Sequence, residues 1–294
     1  MTIRPRRSVL YMPGSNARAL EKAKELETDC VIFDLEDAVA PDQKERARDQ
    51  VASAVAAGGY GRREVIIRVN ASDTPWGDDD LAAAIAAGPD AILVPKVSRD
   101  HDLTIAADAI TAAGAEIVLW AMMETPLAIL NADRIALHAE HPTAPLGAFV
   151  MGTNDLAKET RARPDHGRQA MLSWLSYCVL AARACGIDVI DGVYNDFRNE
   201  EGFRDECAQG ARLGMDGKTL IHPAQIAPCN EIFAPSDEDI AWARSIIAAF
   251  ERPENQGRGA ITIDGRMVEL LHCETARRTV AIAEAMDEAG GAQS

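Results

Sequence analysis

The chain has 294 residues, enough for one large domain or two small ones, and its 47% hydrophobic residues supply a core of ordinary size. A net charge of −16 argues against nucleic acid or an anionic membrane as partner, because a polyanion would be repelled. No stretch of about 18 uncharged apolar residues occurs, and the start "MTIRPRRSVLYMPGS" lacks the apolar run and small-residue cleavage site of a secretory leader, so a soluble cytoplasmic protein is expected.

Six cysteines (Cys30, Cys178, Cys185, Cys207, Cys229 and Cys273) form no C-x-x-C pair and no matching histidine spacing, which disfavours structural zinc and a disulfide framework. The charge is uneven. Residues 1–24 carry six basic residues (Arg4, Arg6, Arg7, Arg18, Lys22, Lys24) against one acid, Glu21. Two readings stand: a solvated arm, or a local site for an anionic, phosphate-bearing ligand.

In chain order, eight short apolar runs alternate with helical patterns: "SVLYMP" (8–13), "CVIFDLE" (30–36), "EVIIRVN" (64–70), "AILVPKV" (91–97), "EIVLWAMMET" (116–125), "GAFVMGTND" (147–155), "IDVIDGVYND" (187–196) and "MDGKTLIHP" (215–223). Near-continuous apolar strands suit a parallel sheet covered by helices. The helix after the fifth run starts with Thr125 as N-cap and Pro126 at the first position, where a missing N–H costs nothing. In "RQAMLSWLSYCVLAARACG", Met171, Leu175, Cys178, Val179 and Ala182 share one face, and Gly186 ends the helix. Eight such units predict a (β/α)8 barrel over residues 1–232, a fold that commonly takes about 250 residues. A doubly wound sheet is the alternative, weakened because no G-x-G-x-x-G follows the first strand. Residues 233–294 form an appendage: a helix capped by Ser236, the loop "NQGRGA", a short β-like run "AITI", and a final helix from about Arg266 to Glu288 that includes Glu269 in its first turn.

Reactive groups of such barrels lie at the C-terminal ends of the strands. Those ends carry Glu36 and Asp37, Arg68 and Asn70, Lys96, Glu124, Asp155, Asn195 and Asp196, and His222. Glu124 and Asp155 end consecutive strands, which in a parallel sheet lie roughly 4.8 Å apart. Two carboxylates so close repel unless a cation stands between them, and a carboxylate pair completed by water and substrate oxygens is how proteins commonly hold Mg2+. The alternative is a pair of helix N-cap acids. Arg68 suits a substrate carboxylate or a developing oxyanion, or else a structural salt bridge to Glu36 or Asp37. Lys96 raises a metal-free alternative, a Schiff base with a ketone substrate.

The segments "RRSVLYMPGSN", "DLEDAVAPDQK", "IIRVN", "LVPKV", "ETP", "GTNDLA", "DGVYNDF", "DGKTLIHPAQI" and "IDGRMVE" together resemble the HpcH/HpaI aldolase superfamily, in particular its citrate lyase beta-subunit and malyl-CoA lyase members. The resemblance implies the same barrel with a C-terminal helical lid. It implies Glu124 and Asp155 as ligands of Mg2+, with Mn2+ as a substitute, and Arg68 on the oxygens of the oxo-acid and the thioester. Backbone N–H groups around Asn154 and Asp155 would hold the acid's carboxylate, and Tyr11, Lys22, Ile221 and His222 fall where CoA-using relatives contact the thioester cofactor. Asn16 stands where some malyl-CoA lyases have arginine, so part of the phosphate grip is either absent or supplied by Arg18. The base of the CoA-using relatives is an aspartate that a lid brings over a neighbouring subunit's site in a trimer. Glu269 of "DGRMVE" takes its place here, longer by one methylene, and the bland alternative is an exposed acid favourable to the dipole of a helix start. His272, three residues on, is expected on the same helical face as a surface or packing residue.

The implied reaction is a reversible Claisen-type cleavage of a 3-hydroxyacyl-CoA such as malyl-CoA, methylmalyl-CoA or citramalyl-CoA into an acyl-CoA and a 2-oxo acid, by a homo-oligomer (trimer or hexamer). Hydrolysis of the same thioester ranks second, favoured by the change to glutamate at 269. A citrate lyase beta subunit acting on a carrier-protein thioester ranks third, and a non-catalytic binding protein last.

Overall fold

All eight apolar runs become strands of one closed, all-parallel barrel ordered β1 to β8, with β8 pairing back to β1. The structure is a computed structural model that describes residues 4–163, 165 and 167–290; the ends of the two expected domains, residues 1–3 and 291–294, lie outside them. The first half of the barrel runs β1 (Ser8–Pro13), α1 (Ala17–Lys22), β2 (Cys30–Asp34), α2 (Lys44–Ala57), β3 (Glu64–Arg68), α3 (Gly77–Ala87), β4 (Ala91–Val94) and α4 (Asp100–Ala113). The second half runs β5 (Val118–Met123), the short helices α5 (Pro126–Leu130) and α6 (Ala132–Ala136), β6 (Leu146–Met151), α7 (Thr153–Thr160), α8 (Leu172–Ala184), β7 (Asp188–Asp191), α9 (Glu200–Leu213), β8 (Gly217–Leu220) and α10 (Ile226–Phe233).

Two apolar layers explain why the strands read as continuous apolar runs rather than alternating ones. Val9, Ile32, Ile66, Leu93, Trp120 and Val150 belong to the cluster that fills the barrel. Leu10, Val31, Phe33, Ile67, Ile92 and Phe149 alternate with them and join the larger cluster beneath the helices. Both faces of each strand are therefore dry, as a parallel sheet covered by helices requires. Thr125 caps α5 by accepting from the Ala128 N–H, with Pro126 at the first position. Met171, Leu175, Cys178, Val179 and Ala182 are all buried on the face read from the sequence. The six cysteines are free thiols, and all but the half-buried Cys185 are buried.

The basic start of the chain is not a single ligand-binding arm. Arg6 holds Glu64 through two bonds of 2.7 and 2.8 Å and Asp188 through a third of 2.9 Å, with its guanidinium 4.9 Å from the Trp120 ring. Arg7 grips both oxygens of Asp29 at 2.8 Å. These partners lie where strands begin, so Arg6 and Arg7 tie the barrel's floor together, at the end opposite the strand-end carboxylates.

Residues 6–233 form one compact unit, and the appendage with residues 4 and 5 forms a second. In the appendage α11 (Asp237–Glu251) starts at Ser236, whose hydroxyl accepts from the Asp239 N–H in a capping box. A hairpin of β9 (Ala260–Ile263) and β10 (Arg266–Glu269) leads into α12 (Leu270–Gly290). Its core gathers Ala243, Ile246, Phe250, Ile261, Val268, Cys273 and Ala276. The expected helix start at Arg266 is thus four residues early. Asp264 (φ 48°) and Gly265 (φ 79°) are both left-handed, the geometry of a two-residue hairpin turn, so the chain doubles back and residues 266–269 pair with β9. Among the described residues no helix is long and apolar enough to cross a membrane.

Candidate active site

At the C-terminal mouth of the barrel, neighbouring strands bring seven of the predicted residues together: Tyr11, Glu36, Asp37, Arg68, Lys96, Glu124 and Asp155. Strand register creates the first contact. Arg68, last in β3, is paired directly with Asp34, last in β2. Its Nε and Nη2 donate to the two Asp34 oxygens at 2.7 and 2.6 Å, a bidentate fork buried on both sides. Nη1 is left over, 2.9 Å from Glu36 Oε2 and 3.8 Å from Asp37 Oδ2. The flat guanidinium lies over the Tyr11 ring, 4.8 Å from its centre. Tyr11 directs its hydroxyl at Met122 Sδ, 3.5 Å away, and its phenol pKa is raised by burial.

Asp34 is the residue that strand-end reading overlooks. Its signal was present, an acid directly after the apolar run "CVIF". It is 1% exposed and also accepts the N–H groups of Glu36 and Ala38. The loop it shapes is fastened from below by Lys44, whose buried ammonium donates to the carbonyls of Leu35 and Glu36 and to Asn70 Oδ1. Asn70 is held in turn by Asp80. Glu36 therefore enters the mouth from a backbone fixed on two sides. Burial pushes its carboxyl up to about 8, against the opposing Arg68 charge and with the negative charges of Glu124 and Asp37 adding to the rise.

Glu124 follows β5 directly and is 2% exposed. Asp155 does not end its strand as expected: it lies four residues past β6, in the first turn of α7, because the chain turns into the helix at Gly152. Only glycine fits there, since a Cβ would stand 2.2 Å from Glu124 Cβ. Between the two carboxylates stands a cation, the Lys96 ammonium. It hydrogen-bonds Asp155 Oδ2, lies 3.3 Å from Glu124 Oε1 and 4.0 Å from Glu36 Oε1, and the Lys96 N–H donates to Glu124 Oε1 at 2.8 Å. Burial raises the Glu124 carboxyl, while at Asp155 burial is overcome by Lys96 and the carboxyl is lowered. For Lys96 the bond to Asp155 and the charges of Glu124 and Glu36 override burial and raise its pKa. A Schiff-base lysine needs a free amine, and this setting holds an ammonium.

The pair already collects one cation, and its hard carboxylate oxygens suit a divalent ion such as Mg2+. Among the described residues no group of three or more His, Cys, Asp or Glu is gathered to hold a metal. Water and substrate oxygens would therefore complete its shell, and Glu124 and Asp155 would be the protein's share.

The remaining predicted residues lie outside this cluster. Asn154 and Asn195 exchange side-chain amide bonds of 3.3 and 2.8 Å. Lys22 is the exposed last residue of α1, and Asn16 caps that helix by accepting from the Ala19 N–H. Ile221 is 41% exposed; His222 stacks on Phe197 with ring centres 4.6 Å apart, and its Nδ1 accepts from the Ala224 N–H. In the appendage Glu269 is the last residue of β10 rather than part of a helical turn. His272 shares no helical face with it; the His272 ring accepts the Glu269 N–H at 2.9 Å and so caps the start of α12.

Comparison with known proteins agrees with the barrel. The chain is 52% identical over 284 residues, 96% of both chains, to a (3S)-malyl-CoA thioesterase of Cereibacter sphaeroides. It is 37% identical to the citrate lyase subunit beta of Haemophilus influenzae, over 90% of this chain and 92% of that one. A crystal structure of protein CitE from Mycobacterium tuberculosis in complex with magnesium, acetoacetate and coenzyme A superposes with a TM-score of 0.72 at 27% identity, covering 94% of this chain and 97% of that one. With residues 7–223, nearly the whole barrel, also matching the model of that family, the chain belongs to the HpcH/HpaI aldolase/citrate lyase family.

Proposed function

We propose that this protein is a Mg2+-dependent thioesterase that hydrolyses the CoA ester of a short hydroxy-dicarboxylic acid, malyl-CoA above all. The observation that carries this reading is the 52% identity, spread over 96% of both chains, to a protein named for that reaction, against 37% for the citrate lyase subunit. It reverses the order suggested by the motifs, in which C–C cleavage ranked first.

The mouth has the parts such a reaction needs. Glu124 and Asp155 would hold the metal, which when bound would supply positive charge to offset that of the substrate's oxygens. Asp34 takes the Nε and Nη2 of Arg68 and Glu36 lies 2.9 Å from Nη1, so a substrate oxygen would share Nη1 with Glu36 or displace it; a donor fixed in a dry pocket stabilises the negative charge that develops when water adds to the thioester carbonyl. Collapse of that adduct breaks the C–S bond; CoA leaves with a proton, and the acyl part leaves as a carboxylate. N–H groups around Asn154 and Asp155 hold the acid's far carboxylate, and Tyr11, Lys22, Ile221 and His222 border the CoA path. Residues 233–294 act as a lid that brings Glu269 over the site of a neighbouring subunit in a homo-oligomer, where its carboxylate takes the proton of the attacking water.

The second reading is the lyase, in which Glu269 serves the acyl-CoA methyl group and Arg68 an enolate. The CitE complex with acetoacetate and coenzyme A supports it, because that fold neighbour accepts an oxo-acid beside CoA. Incubation with malyl-CoA separates the two. Malate plus free CoA is expected; glyoxylate plus acetyl-CoA would overturn hydrolysis in favour of cleavage.

A further inference from the structure

Lys96 is built unlike any other residue of the mouth. It comes two residues after β4 with φ at 53°, a left-handed backbone that a residue with a Cβ adopts only at a cost. That conformation makes it grip Glu124 twice, by its own N–H at 2.8 Å and by its ammonium at 3.3 Å, while the ammonium also bonds Asp155. A half-exposed lysine is thus turned inward onto the two carboxylates assigned above to the metal.

We propose that Lys96 is an internal counter-cation, occupying the metal's place in the free protein and displaced when a divalent ion binds. The inference rests on the reading of Glu124 and Asp155 as metal ligands. An ammonium and a divalent cation compete for the same oxygens, and they repel each other at this separation. Departure of the ammonium is easy. Its side chain is 36% exposed, and Glu36 Oε1, 4.0 Å away, offers a second partner. The backbone N–H of Lys96 stays on Glu124 throughout, so the ligand keeps its orientation while its counter-ion changes. Lys96 thereby keeps a crowded carboxylate pair folded without metal, and in exchange weakens metal affinity.

The test is Mg2+ binding by isothermal titration calorimetry to chelator-stripped full-length protein, with melting temperatures recorded in parallel. Lys96→Asn removes the charge and tolerates a left-handed backbone; Lys96→Gln repeats the test with a longer side chain should the first variant fold poorly; Lys96→Arg keeps the charge. Both uncharged variants are expected to bind Mg2+ at least about tenfold more tightly than the unmodified protein, with Lys96→Arg close to the unmodified value. Stripped of metal, the uncharged variants should melt several degrees lower, and saturating Mg2+ should close the gap. Equal or weaker Mg2+ binding by the uncharged variants would overturn the proposal while leaving the metal site standing. If Glu124→Gln and Asp155→Asn bind Mg2+ as well as the unmodified protein does, the metal assignment itself falls, and the proposal with it.

Discussion

Two clusters of buried charge sit in the same barrel, and they are built to opposite ends. Beneath α9, Asp191 and Lys218 are both fully buried and paired at 2.9 Å; Arg168 bonds the other Asp191 oxygen at 2.7 Å, and Glu206 bonds Lys218 at 2.7 Å. Two acids meet two bases. Burial alone would raise the Asp191 carboxyl, yet Lys218 and Arg168 hold it below its usual range. At the mouth, Asp34, Glu36, Asp37, Glu124 and Asp155 form their ion pairs with two cations, Arg68 and Lys96, while the charges of Lys44 and Lys158 act on Asp34, Glu36, Asp37 and Asp155 from the flanks. Burial there leaves Glu36 and Glu124 with raised carboxyls. A charge-balanced network holds a fold together, although Arg168 and Glu206 of this one also line a cavity with Asn154 and Asn195; a network with surplus acid is poised for a cation and a substrate.

This contrast can be broken experimentally. The largest effect is expected at the mouth: Glu124→Ala or Asp155→Ala should lower turnover by about a thousandfold or more, measured as CoA thiol release, while the metal-free protein melts close to the unmodified one. Activity that persists in EDTA would return attention to Lys96. In the charge-balanced cluster the outcome should invert. Lys218→Met or Asp191→Asn leaves a buried charge without its partner and should cost about 3–5 kcal/mol of stability by denaturant titration, with turnover per folded molecule unchanged.

Glu269→Gln should lower turnover on the order of a hundredfold with little change in CoA affinity. Mixing that variant with inactive Glu124→Ala subunits sharpens the test: recovered activity in the hybrids is expected if the lid serves a neighbouring subunit, and none if it does not. The smallest effect concerns Glu36. A carboxyl raised to about 8 binds its proton more tightly in the folded chain than in the unfolded one, so its contribution is full below pH 4.5 and is lost as pH rises through 8. In metal-free buffer, Glu36→Gln should therefore gain a few degrees in melting temperature over the unmodified protein as pH is raised across that window.

Much of this was legible in the chain itself. Eight apolar runs with helices between them have one economical solution, because a strand with two dry faces needs cover on both, and local signals such as Thr125 before Pro126 or Ser236 before an acidic turn mark where helices begin. The acids and bases of the mouth were visible as polar residues closing apolar strands. Pairing was not. That Arg68 belongs to Asp34 follows from the register of β2 against β3, and that Lys96 stands between Glu124 and Asp155 follows from one left-handed residue and one glycine at which the chain turns into α7. Arg6 and Arg7 could be read as a solvated arm or a site for an anion until the barrel closed and brought Glu64, Asp188 and Asp29 from distant parts of the chain to its floor. Local chemistry determines which elements form and where they stop; only the closed barrel decides which charge meets which, because those partners are far apart in sequence and become neighbours through strand order and register alone.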